Sequence, residues 1–175
     1  MKLIQEIVHQ EGIRQDGKAL CRTAVRGIIL RENKLLMIHS AQNGDLKFPG
    51  GGIDDGETHH QALVREIREE CGATVSHIDG AFGCVIEYAA PLEHEYDVFK
   101  MTSFYYLCRI APMFGAQHLD QYEQDLGFAP RWVDVDTAIQ INQSILHSGQ
   151  LVVPRWTRRE IVVLEKIREQ LGPSA

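Results

Sequence analysis

The sequence lacks paired cysteines, long apolar runs and a leader-like N-terminus. Its four cysteines are widely spaced, and no C-x-x-C pair indicates a zinc or redox site, so we expect free thiols in a reducing compartment. The longest apolar runs, such as Leu35 to Ile38, are far too short to cross a bilayer. Glu6 interrupts the apolar stretch at the N-terminus, and no cleavage pattern follows it. We therefore predict a cytoplasmic protein without a membrane partner.

Basic charge is also scarce. The chain carries 18 Lys and Arg residues against 24 Asp and Glu residues, a net charge of -6. Binding to a nucleic-acid backbone needs clustered Lys and Arg, so we expect no DNA partner. A small anionic substrate would need local arginines or a metal ion to overcome the overall negative field.

The length and the pattern of the sequence predict one domain over residues 1–175 of α/β or α+β class, with helices covering a mixed sheet. Period-2 alternation and β-branched residues predict strands over 3–8, 18–30, 35–40, 75–88, 98–110 and 131–133. Near-helical spacing predicts helices over 58–71, 136–147 and about 157–171. Thr58 and Gln61 have the spacing of a capping box, and Gly72 is placed to end the first helix.

An acidic cluster lies on that first helix. Glu66, Glu69 and Glu70 stand at i, i+3 and i+4, which puts them on one face within roughly 5–6 Å of each other. Like charges this close repel, and a divalent ion with oxygen ligands would relieve the repulsion. A solvated acidic face is the alternative. The glycines of residues 50–52 precede the helix, and Arg65 stands beside the cluster, which favours a metal site.

These residues carry a resemblance to a known family. The segment 51–73 matches the Nudix box, G-x5-E-x7-R-E-U-x-E-E-x-G-U, in which U is a bulky aliphatic residue, except that Ala73 stands at the last U. The matching positions are Gly51, Glu57, Arg65, Glu66, Ile67, Glu69, Glu70 and Gly72. The chain thus resembles the Nudix (MutT-like) hydrolases. The resemblance implies an α/β/α sandwich and a hydrolase that uses Mg²⁺ or Mn²⁺, and we extend it over about residues 20 to 140.

The resemblance also implies roles for individual residues. Glu66, Glu69 and Glu70 would bind the metal, and the carbonyl of Gly50 would add a ligand. Arg65 and Glu57 would orient these ligands.

The general base is left open by the sequence. Glu66 is one candidate, and an acid outside the box is another. Glu123 is the favoured outside acid, with Asp120 and Asp125 as neighbours that could replace it. A solvated loop carboxylate is the alternative interpretation of Glu123.

Four residues are candidates for substrate binding. Period-2 alternation places Arg26 on the same strand face as the apolar residues Ala24 and Ile28. An arginine among apolar neighbours needs an anionic partner, either a substrate phosphate or an internal carboxylate. His39 and Lys47 are weaker candidates. Tyr88 follows Gly72 at a spacing that resembles a downstream tyrosine of dinucleoside polyphosphate hydrolases in the family.

The expected function is hydrolysis of the diphosphate bond in a nucleoside triphosphate, or in a nucleoside diphosphate linked to another group. This is a reaction on acid anhydrides in phosphorus-containing compounds, and the partner is a small nucleotide. The alternatives are a non-catalytic sensor of a nucleotide metabolite and an RNA 5′-end pyrophosphohydrolase. The sequence does not choose among an 8-oxo-nucleotide, ADP-ribose, a dinucleoside polyphosphate and a nucleotide sugar. A homodimer is one option for the oligomeric state.

Overall fold

The computed structural model describes residues 1–149 and 153–171. Seven strands form a mixed sheet: β1 (Leu3–Val8), β2 (Ala19–Arg31), β3 (Lys34–Ser40), β4 (Leu46–Lys47), β5 (Ala73–Ala89), β6 (Val98–Phe114) and β7 (Phe128–Asp134). Four helices accompany it: α1 (His59–Cys71), α2 (Gln121–Leu126), α3 (Val135–Leu146) and α4 (Trp156–Leu171).

The strand order is β1-β5-β6-β2-β3-β4, and β7 pairs with β3. The pairs β1–β5 and β2–β6 are parallel, whereas the other pairs are antiparallel. β2 and β3 pair only at Leu30–Leu35 and Arg31–Lys34, next to their tight turn. Beyond that turn the two strands separate, and the loop after β4 lies beside β2.

Helices cover both faces of the sheet. On one face, Leu63 and Ile67 of α1 join a core that contains Val25 and Ile29 of β2. On the other face, residues of α3 and α4 pack on a second core that contains Ile28, Tyr105, Ile139 and Leu164. The alternation along β2 therefore divides its side chains between two cores. This arrangement confirms the expected α/β/α sandwich with a mixed sheet.

Most expected elements are confirmed, although β5 and β6 are longer than predicted. One helix was not predicted: α2 occupies Gln121–Leu126, in the polar stretch before β7. Residues 150–152 and 172–175 lie outside the described residues, so a single domain over the whole of 1–175 stays a prediction. No helix in the described part of the chain combines the length and apolarity needed to cross a membrane.

Helix α4 is fastened to the loop around β4 by polar contacts. The indole Nε1 of Trp156 donates to Oδ2 of Asp45 at 2.5 Å, and Thr157 Oγ1 donates to the same oxygen at 3.3 Å. The backbone N–H of Phe48 donates to Oε2 of Glu160 at 3.3 Å. Because Asp45 and Glu160 are almost fully buried, these contacts fix the position of α4 over the sheet.

A buried ion-pair network also joins α4 to β5. Arg159 donates to Glu87 at 2.7 Å and to Glu160 at 2.6 Å, and its side chain is 4% exposed. His9 contacts the other oxygen of Glu87 at 3.0 Å. Burial by itself would raise the pKa of the Glu87 carboxyl, but Arg159 and His9 outweigh it and lower the pKa to about 2.

We expect Glu87→Ala to lower the free energy of unfolding by ~3–5 kcal/mol, near the lower end because Glu160 still pairs with Arg159. The pKa of Glu87 is lower in the folded chain than the value of about 4.3 for glutamate in an unfolded chain. The stabilisation is therefore complete above about pH 4.3 and is lost as the pH falls toward 2. Urea unfolding at pH 7 and pH 4 checks both points. The difference from the unmodified chain should be full at pH 7 and smaller at pH 4.

The matched control is Asp79→Asn, which removes an ion pair with Arg109 that lies in solvent. That variant should unfold at nearly the same urea concentration as the unmodified chain. Equal effects of the two substitutions would show that burial of the Glu87 pair contributes nothing.

Candidate active site

The glycine loop is fixed along β2 by backbone hydrogen bonds. The N–H of Val25 donates to the carbonyl of Gly51 at 3.0 Å, and the N–H of Gly27 donates to the carbonyl of Pro49 at 2.8 Å. Gly50, between them, has φ +136°, and a Cβ there would lie 2.1 Å from the carbonyl oxygen of Val25. Only glycine allows the loop to approach the strand this closely.

Helix α1 begins and ends as its sequence predicts. The side chain of Thr58 accepts from the N–H of Gln61, and the Gln61 side chain accepts from the N–H of Thr58. Gly72 ends the helix at φ 67°. Two of the acids, Glu66 and Glu70, are buried on this helix together with the apolar residues Leu63 and Ile67. Their carboxylates are thereby directed to the glycine loop.

Glu70 is fully buried and makes two short contacts. Its Oε1 accepts from Lys47 Nζ at 2.5 Å, and its Oε2 accepts from the N–H of Gly50 at 2.7 Å. The Lys47 amino group also lies 4.5 Å from the centre of the Phe128 ring. A buried carboxylate with two donors has a fixed position, which a ligand requires.

Arg65 connects the acids at the outer side of the cluster. Its Nε and Nη2 donate to the two oxygens of Glu57, both at 2.8 Å, as a two-pronged contact. Its Nη1 donates to Glu66 at 2.8 Å and to Glu69 at 3.2 Å. The hydrogen bonds from Arg65 lower the pKa of Glu57 to about 2. Arg65 therefore orients Glu57, Glu66 and Glu69 at once.

The three helix acids are not equivalent. Oxygens of Glu66, Glu70 and Glu123 lie within 4.8 Å of one another, whereas Glu69 is not part of this group. The Glu69 side chain is 40% exposed and bonded to Arg65. Helical spacing placed the three Cα atoms on neighbouring positions correctly, but it could not show that Arg65 draws one carboxylate away.

Glu123 reaches the group from α2. Asp120 accepts from the N–H of Glu123 at 2.8 Å, and Glu123 Oε2 accepts from the N–H of Asp120 at 3.0 Å, which completes a capping box. Burial raises the pKa of Glu123 to about 7, and the nearby charge of Glu70 adds to the rise. Of the two neighbours considered as alternatives, Asp120 caps the helix, and Asp125 is exposed and accepts from Gln121 at 2.8 Å.

The sequence contained a sign of this missed helix. Asp120 and Glu123 have capping-box spacing, and Gly127 follows as the C-cap with φ 64°. The contact between Lys47 and Glu70 could not be predicted from a local motif, because the two residues are 23 positions apart and meet only when β4 packs near α1.

The substrate candidates lie in different places. Arg26 is 8% exposed, and its Nη1 donates to the carbonyl of Gly50. Lys47 contacts Glu70, as described above. His39 is half-buried on β3, where burial, with Arg131 nearby, lowers its pKa. Tyr88 is buried on the face of β5 opposite to that of Glu87.

The sequence model of the NUDIX domain matches residues 21–152, about three quarters of the chain. The chain belongs to the NUDIX family. This confirms the resemblance that the segment 51–73 indicated, over nearly the range we expected.

Several curated relatives match over part of their length. The 8-oxo-dGTP diphosphatase of Escherichia coli K12 is 41% identical over 75 residues, 39% of this chain and 55% of the relative. The ADP-ribose pyrophosphatase of Methanocaldococcus jannaschii is 48% identical over 52 residues, 28% of this chain and 31% of the relative. An RNA pyrophosphohydrolase of Nitratiruptor is 32% identical over 102 residues, 52% of this chain and 64% of the relative. The matched regions thus span between about a third and two thirds of these relatives.

Two solved structures share the fold. A MutT NUDIX hydrolase from Burkholderia pseudomallei superposes with a TM-score of 0.55 at 20% identity, covering 85% of this chain and 99% of that chain. The ORF135 protein of E. coli gives a TM-score of 0.52 at 19% identity, covering 89% and 95%.

Proposed function

We propose that the protein is a metal-dependent hydrolase of the diphosphate bond in a nucleotide, acting on an acid anhydride of phosphorus. The convergence of Glu66, Glu70 and Glu123 within 4.8 Å carries this proposal. Three carboxylates this close repel one another, so a cation between them lowers the energy of the site. The names of the relatives, all of them hydrolases of phosphate anhydrides, support it.

The donor set suits Mg²⁺ or Mn²⁺, because it offers only oxygens. Glu66 and Glu70 would hold the ion, with the Glu123 carboxylate beside them. The carbonyl of Gly50, expected as a further ligand, accepts from Nη1 of Arg26 in this structure, so it would bind the ion only after that contact breaks. A bound ion of this kind neutralises phosphate oxygens and makes its bound water more acidic. Glu69 would join these ligands only after its carboxylate leaves Arg65.

The protein residues would position the reactants and accept a proton. Arg65 and Glu57 hold Glu66 in place, and Lys47 does the same for Glu70. We propose Glu123 as the base, with Glu66 as the alternative, because the Glu123 carboxylate lies within 4.8 Å of Glu66 and Glu70 and reaches the site from a different helix, beside the water that the ion would hold. We retain Arg26 as a phosphate contact, and His39 and Tyr88 stay candidates for substrate contacts.

A panel of substrates tests the proposal. The purified chain should hydrolyse at least one of the nucleoside triphosphates, nucleotide sugars, ADP-ribose and dinucleoside polyphosphates with Mg²⁺ or Mn²⁺, and EDTA should stop the reaction. Product analysis by ion-exchange chromatography identifies the bond that is cut. If no compound is hydrolysed with either metal, the proposal is wrong.

A second candidate, removal of diphosphate from RNA 5′ ends, is favoured by a groove on the outer side of α1. The groove has a volume of about 820 Å³, and His60, Arg65, Arg68 and His118 are among its lining residues. These side chains could contact successive phosphates of an RNA strand that leads toward Glu69. A 5′-triphosphorylated oligoribonucleotide belongs in the panel, and Arg68→Gln should slow its hydrolysis more than that of a free nucleotide.

A further inference from the structure

The loop between β6 and α2 is bonded to the end of helix α1. We call residues 115–119, which lead from β6 toward α2, the connecting loop. The last carbonyls of a helix have no partner inside that helix. Here the N–H of Gly115 donates to the carbonyl of Gly72 at 2.7 Å, and the N–H of His118 donates to the carbonyl of Glu69 at 2.8 Å. The connecting loop thus lies against the end of the helix that carries the acids.

Gln117, in the middle of the connecting loop, contacts two elements at once. Its side-chain amide donates to the carbonyl of Glu70 at 2.6 Å and to the carbonyl of Phe128 at 3.2 Å. Glu70 belongs to α1, and Phe128 is the first residue of β7, just after α2. One amide group therefore closes the segment 117–128 around α2 and fixes this segment to the backbone of a proposed metal ligand.

Helix α2 needs contacts of this kind, because its own packing is slight. It has six residues, too few for a helix that is stable by itself. Of these six, all of which the structure describes, only Leu126 is buried. The carbonyl of Leu126 accepts from the N–H of Gln42 at 3.1 Å and from Ser40 Oγ at 3.2 Å, which holds the C-terminal end. Glu123 is the third residue of α2, nearer to the end that the connecting loop holds.

The hydrogen bonds of Gln117 give the connecting loop a defined position. Leu119, in the same loop, is partly buried against the core that contains Leu63. Burial of an apolar side chain has no preferred direction, whereas a hydrogen bond restricts both distance and angle. The position matters at Glu123, because its carboxylate must come within 4.8 Å of those of Glu66 and Glu70.

We propose that Gln117 is a positioning residue for Glu123. Its amide holds α2 at the distance from α1 at which the Glu123 carboxylate meets those of Glu66 and Glu70. The inference rests on the proposed function, because it gives Glu123 a part in the reaction. The two hydrogen bonds themselves need neither metal nor substrate, so they are tested without turnover as well.

Hydrogen exchange in EDTA, followed by mass spectrometry, measures the effect of these contacts on α2. Gln117→Met keeps the approximate length of the side chain but removes both hydrogen bonds. The backbone amides of α2 should then exchange about 5- to 30-fold faster.

Gln121→Met is the matched control for exchange. It is the same substitution, and it removes a hydrogen bond to Asp125 at 2.8 Å that lies wholly within α2. It should speed the exchange of α2 by less than about 3-fold. If Gln117→Met exchanged no faster than Gln121→Met, the proposal would be wrong.

Kinetics test whether the position of α2 matters for the reaction. With a substrate from the panel, Gln117→Met should lower kcat about 10- to 100-fold, because a displacement of the base by about 1 Å is enough for such a loss. KM should change by less than about 3-fold, because α2 carries none of the proposed substrate contacts. A KM that rises as much as kcat falls would overturn the proposal. Gln121→Met should keep both constants within about 3-fold of the unmodified chain.

A double-mutant cycle with Glu123 shows whether Gln117 acts through that carboxylate. Glu123→Gln retains the capping box, because glutamine also accepts from the N–H of Asp120. In the Glu123→Gln background, Gln117→Met should lower kcat by less than about 3-fold more, because the carboxylate that it positions is already absent. A second loss as large as the first would contradict the proposal, and so would an unchanged kcat in Glu123→Gln alone.

Two outcomes separate this inference from the proposed function. If the chain hydrolyses a panel compound and Gln117→Met retains kcat, the positioning role is refuted and the hydrolase assignment stands. If no compound is hydrolysed but Gln117→Met speeds the exchange of α2, the hydrolase assignment is refuted, and the fixing of α2 by Gln117 is supported.

Discussion

Glu70→Gln should reduce kcat by at least about 100-fold while the chain remains folded. Glu70 is fully buried and holds the N–H of Gly50 at 2.7 Å and Lys47 at 2.5 Å, so it connects the helix to the loop and the proposed metal site. Glutamine keeps the size of the side chain but removes the charge that a divalent ion requires. Substituting a residue that hydrogen-bonds to a metal ligand already lowers metal affinity or activity by ~10–100-fold, and substituting the ligand itself should lower them further.

Metal binding provides a measurement apart from activity. Mn²⁺ should raise the thermal midpoint of the unmodified chain, since binding to the folded state stabilises it, and should leave Glu70→Gln nearly unchanged. Circular dichroism checks that the helix content is retained. Retained turnover in Glu70→Gln would remove Glu70 from the proposed site.

Glu69→Gln is the matched control for Glu70→Gln. It is the same chemical change one position earlier, at a carboxylate that is 40% exposed and bonded to Arg65. We expect a smaller loss of kcat and a retained response to Mn²⁺. Losses as large as those of Glu70→Gln would place Glu69 among the metal ligands and would show that its contact with Arg65 breaks when the ion binds.

Gly50→Ala should lower kcat by at least about 100-fold and destabilise the chain by ~1–3 kcal/mol. The new Cβ would lie 2.1 Å from the Val25 carbonyl oxygen, and φ +136° is rarely adopted by alanine. The loop would have to leave β2, which displaces the Gly50 N–H from Glu70 and its carbonyl from Arg26. Steady-state kinetics and urea unfolding measure the two effects.

Gly52→Ala, two positions later, is the control for this change. A Cβ at Gly52 meets nothing within 4 Å, so kcat and stability should stay close to those of the unmodified chain. If Gly50→Ala behaved like Gly52→Ala, the close approach of the loop to β2 would have no role in the site.

The sequence by itself determined the family, the sandwich and most of the elements. The caps of α1 at Thr58 and Gly72 are local hydrogen bonds and backbone angles, which depend on a few neighbouring residues. The alternation in β2 predicted that Arg26 would point to the same face as Ile28. The resemblance implied that Arg65 and Glu57 orient the acids, and Arg65 does contact both Glu57 and Glu66. These contacts are local, because one helix and the loop before it contain all three residues.

Only the tertiary structure decided which acids converge. Glu123 joins Glu66 and Glu70 from a helix more than fifty positions away, and the contact depends on how α2 packs beside α1. The contacts of Lys47 with Glu70 and of Arg26 with the Gly50 carbonyl likewise join residues from different parts of the chain, so they depend on how those parts pack together. Spacing along one helix fixes only the relative positions of its Cα atoms. The direction of each carboxylate is set by partners from other elements, so Glu70 turned inward and Glu69 toward Arg65.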